Sequence, residues 1–115
     1  MLKQRIEILR SASMIDDIVA EYVNAVIDQF LPQQYEESKM EMFTTHLAMA
    51  TQRALNHGEV EMMDDGIWKD VQMAKTFLEA KEVLRGLKEN APVEIPESED
   101  RFLLMHLCNL LEKEG

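Results

Sequence analysis

Apolar residues recur at steps of three and four along almost the whole chain, and no run alternates with period two for long enough to propose a sheet. That spacing gives each segment one apolar stripe on a helix face and gives a strand nothing to bury, so the chain is confined to an all-α architecture. The clearest stripe is Ile15, Ile18, Val19, Tyr22, Val23, Val26, Ile27 and Phe30. Ser13, with Asp16 three residues later, reads as the N-cap of this helix, and Pro32 marks its end. A second helix reads from about Tyr35 to His57, with Met40, Phe43, Leu47, Ala50 and Ala54 on one face and Gly58 as its stop.

After an acidic, turn-like segment closed by Asp64-Asp65-Gly66, one long helix is predicted from about Ile67 to Asn90. Its stripe is Ile67, Val71, Ala74 and Leu78, drifting to Phe77, Ala80, Leu84 and Leu87. Pro92 and Pro96 keep the residues before them extended. The last helix is predicted to start near Pro96 and to carry Phe102, Leu103, Leu107, Leu110 and Leu111 to the C-terminus. The expected fold is a compact bundle of four to five helices over residues 13–115, behind an N-terminal extension at 1–12. In that extension Leu2, Ile6 and Leu9 offer a helical turn or two.

Charge narrows the function. The 115 residues hold 22 acidic against 12 basic side chains, a formal charge of -10. Nucleic-acid affinity rests mainly on cations that neutralise phosphates, so direct DNA or RNA binding is not expected. An anionic membrane surface is disfavoured for the same reason. The longest stretch without a charge, Met42 to Gln52, is 11 residues, far short of the roughly 20 that span a bilayer. No apolar signal-peptide block follows Met1-Leu2-Lys3-Gln4-Arg5, and a lone cysteine, Cys108, makes no internal disulfide. A cytoplasmic location is therefore expected.

The chain has no glycine-rich phosphate loop, paired zinc cysteines or nucleophile-elbow serine, which argues for a binding module rather than an enzyme. Cys108 lies two residues from His106, on a different side of the helix, and reads as a small core residue. His57, between Asn56 and Gly58, reads as a helix-end residue. His46 shares its helical phase with Met42, Met49 and Arg53; His106 shares its own with Glu99, Phe102 and Asn109. Both therefore sit at the edge of a buried face. Two histidines on different helices plus Glu99 are a conceivable metal set. The Glu-x-x-His pairs that di-metal bundles repeat are missing, so neither metal nor cofactor is expected.

The two histidine segments are more specific together. The run from Phe43 to Arg53 resembles the first histidine motif of the phosphotransferase-system regulation domain, or PRD: a His followed by an apolar residue, with an Arg seven residues on. The run from Ile95 to Asn109 resembles the second, with a Pro, an acidic residue seven before the His, an apolar pair between, and an Asn three after. The separation through Trp68 and Leu87 fits as well, and the resemblance extends from about Ile15 to Glu114. The family usually has Asp before the first His, where this chain has Thr45. Its members usually carry two such domains behind an RNA-binding or DNA-binding module, in antiterminators and transcription regulators. This chain reads as a single, stand-alone copy.

The resemblance implies a five-helix bundle that often dimerises, with His46 and His106 phosphorylated by a phosphocarrier protein or a sugar-transporter domain. Arg53, about 10.5 Å along the helix from His46 and on nearly the same face, is expected to lean back onto the phosphate. Glu99 is expected to hold a ring N–H of His106, and Asn109 to support that site. The added charge, about -1.5 to -2 by analogy with other phospho-residues, would shift association with a second copy or an output partner. The alternative is a helical adaptor or dimerisation protein of the same fold that is never phosphorylated.

Overall fold

The computed structural model describes residues 2–112, and the end of the expected last helix lies partly outside them. The helical stripes become six α-helices: α1 (Leu2–Ser11), α2 (Asp17–Phe30), α3 (Glu37–Leu55), α4 (Asp65–Gln72), α5 (Phe77–Glu89) and α6 (Asp100–Leu111). Short 3-10 turns precede α3 at Leu31–Gln33 and α6 at Glu97–Glu99, and no strand occurs among the described residues. The architecture is the all-α bundle expected, with two helices more than the smaller count.

Helix α3 is the hub, packing against α1, α2 and α6, while α5 and α4 lie on α6. Its expected stripe is buried throughout, from Met40 through Phe43, Leu47 and Ala50 to Ala54. Phe43 stacks on Phe30 of α2 with ring centroids 5.7 Å apart. Of the α2 stripe only Ile18 faces solvent. Tyr22 reaches from α2 to α5, its hydroxyl donating to the Leu87 carbonyl at 2.7 Å. The N-terminal segment is a full helix whose Ile6 is completely buried in the same core.

Helix ends differ from expectation in instructive ways. Ser13, read as a cap for the helix that follows, instead closes the helix before it. It takes a left-handed φ of 60°, and the Ser13 and Met14 N–H groups return to the Arg10 and Leu9 carbonyls. Those crossed bonds satisfy the last carbonyls of α1. The same device ends α3, with His57 rather than Gly58 in the left-handed position (φ 57°). His57 N–H donates to Ala54 O and Gly58 N–H to Arg53 O. Gly66, expected to close a turn, lies inside α4, which Asp64 caps by accepting from Ile67 N–H at 3.2 Å.

The predicted long third helix is two helices. The chain breaks at residues 73–76, where no Gly or Pro stands. The break follows from packing: Val71 is buried, Trp68 meets Phe77 edge-on at 5.8 Å, and the Thr76 hydroxyl donates to the Cys108 carbonyl of α6. The helical phase resets there, which leaves Leu78 exposed and turns Ala80, Leu84 and Leu87 inward.

The N-terminus of α2 is held from another helix. Its own capping residue, Asp16, makes no side-chain cap. Buried Gln52 of α3 accepts from Asp16 N–H at 2.7 Å and donates back to the Asp16 carboxylate at 3.2 Å. Gln52→Leu removes both bonds; Asp16 is exposed, so water replaces them in part, and the change is expected to cost about 0.5–1.5 kcal/mol. Urea denaturation of the two proteins side by side measures it.

Candidate functional site

Residues four and seven apart on α3 form a single ridge that α1 and α6 flank, and the functional side chains stand along it. Thr45, His46, Met49 and Arg53 line an open pocket of about 440 Å³. Glu41 and Met42 of α3 line it as well, α6 adds His106, and α1 adds Arg5. The histidines, from two helices far apart in sequence, face one another with ring centroids 4.7 Å apart, and Phe102 lies 6.0 Å from the His46 ring.

Both rings are held neutral. Burial pushes His46 down to about 4, with His106 and the Arg53 guanidinium adding repulsion against a proton. Burial also lowers His106. Desolvation disfavours the charged imidazolium, and two cations at this separation would repel. His46 Nε2 is shut away from solvent and has no hydrogen-bond partner among the described residues.

Arg53 is oriented by Glu99. Its Nε and one terminal nitrogen donate to the two carboxylate oxygens at 2.9 and 3.0 Å, a forked pair in which Glu99 is wholly buried. The carboxylate pushes the guanidinium pKa up, so Arg53 stays charged. Glu99 is delivered by the 3-10 turn ahead of α6, where its N–H donates to the Pro96 carbonyl. The expectation that Glu99 holds a ring N–H of His106 is therefore corrected: its two oxygens are engaged by Arg53, which also lines the histidine pocket. Asn109 does not line this pocket. It is exposed and lines a separate depression with Met73 and Thr76: one turn beyond His106, α6 faces the α4–α5 connection rather than α3. Among the described residues no group of three or more His, Cys, Asp or Glu comes together to hold a metal ion, and Cys108 is buried.

One member of the pocket had no signal in the sequence. Arg5 Nε donates to the Thr45 hydroxyl at 2.7 Å, across 40 residues. No local spacing announces such a contact; only the docking of Ile6 beside it places α1 there.

A family model described as the PRD domain matches residues 13–110, which span α2 to nearly the end of α6 and leave α1 outside. No curated protein and no solved structure matches the chain. No helix among the described residues is long and apolar enough to cross a membrane.

Arg53→Met leaves a buried, unpaired carboxylate and is expected to cost about 3–5 kcal/mol. Glu99→Gln retains a hydrogen bond and leaves the one-third-exposed Arg53 side chain to water, so it is expected to cost less, about 1–3 kcal/mol. Denaturant midpoints at pH 7 separate the two. Below about pH 6.5 the unfolded chain binds a proton that folded His46 refuses until about pH 4, so stability falls as pH drops through that window. Wild type is expected to lose about 2 kcal/mol more between pH 7 and pH 5 than His46→Gln loses, read from denaturation curves at the two pH values.

Proposed function

The chain belongs to the PRD family, and on that premise we propose that it is a regulatory module of the sugar phosphotransferase system, not an enzyme, whose paired histidines receive a phosphoryl group. The observation that carries this reading is the pairing itself: two neutral imidazoles 4.7 Å apart in an open pocket beside a charged arginine. A neutral imidazole has one unprotonated nitrogen, and that nitrogen is the nucleophile. It forms a bond to phosphorus as the P–N bond of a donor phosphohistidine breaks. The donor ring, protonated on its other nitrogen, leaves as a neutral imidazole, and the acceptor, now a phosphoimidazolium, can release its own N–H proton to water.

The consequence is electrostatic and steric. A phosphoryl group brings about -1.5 to -2 charge into a contact now made by two neutral rings. His46 Nε2 is shut away from solvent, so a phosphoryl on this atom requires the ring and the side chains around it, His106 with its centroid at 4.7 Å among them, to separate. Separation moves α3 against α6, which form the core packing around the site. Phosphorylation would thus reach the surface as an altered contact with a second copy of the chain or with an output partner. The phosphocarrier or transporter domain that donates the group is the other partner this reading requires.

The test is transfer from phosphoenolpyruvate through the general phosphotransferase proteins, repeated with a sugar-specific transporter domain as donor. Acid-labile label is expected on wild type, and it should fall by at least about tenfold in His46→Ala, His106→Ala or both. Absence of label with both donors, while a known acceptor in the same tube is labelled, would overturn the reading in favour of an adaptor that is never phosphorylated.

A further inference from the structure

We propose that Arg5 of α1 is a second oxyanion-binding residue of the histidine pocket, joining Arg53 in holding a phosphoryl group on His46. The inference rests on the reading above for its ligand, but on separate observations for its geometry. Helix α1 lies outside the family match, and yet Arg5 lines the same pocket as His46, Arg53 and His106. Its Nε donates at 2.7 Å to the hydroxyl of Thr45, the residue that immediately precedes His46. This Thr45 hydroxyl is a neutral acceptor, and a phosphoryl oxygen is an anionic one; charge-assisted bonds to guanidinium are about twice as strong as neutral ones. A phosphoryl on His46, which lines the same pocket as Thr45 and Arg5, therefore competes for this donor.

The two arginines differ in what holds them. Arg53 is committed through two of its nitrogens to buried Glu99, so its fork is partly spent before any anion arrives. Arg5 is exposed and, among the described residues, its Nε donates to a neutral hydroxyl; an incoming oxyanion would draw the guanidinium away from it, against the one carboxylate that lines the same pocket, Glu41. Next to it, Ile6 is completely buried. That anchor fixes where the Arg5 backbone stands, so only the side chain has to swing. Occupation of the site then ties α1 more firmly to α3.

The ligand chemistry is a tetrahedral phosphate oxyanion, free or bonded to the ring. Inorganic phosphate is the first probe, titrated into the full chain while the ring C–H signals of His46 and His106 are followed by NMR. Phosphoramidate is the second: the ring nitrogen attacks phosphorus, the P–N bond breaks, and ammonia departs, so no protein donor is needed. Arg5→Gln, Arg5→Lys and Lys3→Gln are compared with wild type. Lys3, on the same helix, pairs with Asp28 away from the pocket and controls for loss of a positive charge.

Phosphate is expected to shift both ring signals, and Arg5→Gln to weaken its binding by about tenfold. The same variant is expected to shorten the lifetime of the phosphohistidine on His46 by a similar factor. Arg5→Lys should recover part of both effects, and Lys3→Gln should match wild type. Equal phosphate affinity in wild type and Arg5→Gln, or no shift of either ring in wild type, overturns the assignment. Label transfer with no dependence on Arg5 overturns it while leaving the phosphoacceptor reading intact. Arg5-dependent phosphate binding without any transfer does the reverse.

Discussion

The forked pair between Arg53 and Glu99 is the joint on which the pocket depends. It ties the last turn of α3 to the 3-10 turn that launches α6, and those two helices carry the two histidines. Taking a carboxylate wholly out of water is costly, and only a partner that satisfies both oxygens makes it tolerable. Arg53 meets that demand while remaining one-third exposed, so the pair bridges core and solvent. The backbone of Arg53 is fixed as well, since its carbonyl accepts the Gly58 N–H in the closing turn of α3. With both ends held, the guanidinium is a fixed positive charge beside the imidazoles.

That fixed charge explains why the site differs from the molecule around it. The chain as a whole carries -10, yet the pocket presents Arg5 and Arg53 against one carboxylate, Glu41, with two rings that burial keeps neutral. An anion approaching this spot meets two cations against that single carboxylate, and the imidazole nitrogens are not lost to protonation near pH 7. The unpartnered Nε2 of His46 adds a cost to the resting arrangement. Buried polar groups without partners are rare and concentrate at places where structure is held for function.

The legibility of the chain in its sequence was uneven for identifiable reasons. The stripe of α3 and most of that of α2 were readable because a 3.6-residue period directly encodes a buried face. The histidines, Arg53 and Glu99 were recognisable through their spacing around each motif, and their placement at the edge of a buried face matches the half-buried rings observed. The partners were not recognisable. Glu99 sits at the expected offset from His106, but it pairs with Arg53 on another helix, and Asn109 at the motif's end points elsewhere. The break at residues 73–76 carries no Gly or Pro, so nothing local separates α4 from α5. Ser13 and His57 take left-handed conformations that β-carbon sterics disfavour; the crossed hydrogen bonds at each helix end over-determine them.

By itself, the sequence determined that the chain is helical, where most helix faces point inward, and which residues resemble a paired-histidine motif, because periodicity and local spacing are properties of the chain alone. Only the tertiary structure decided that His46 and His106 touch, that Glu99 is the counter-ion of Arg53, and that α1 contributes Arg5 to Thr45. Each of those contacts joins segments separated by 40 or more residues. Contacts at that range are set by how whole helices dock, and no local pattern of side chains specifies them.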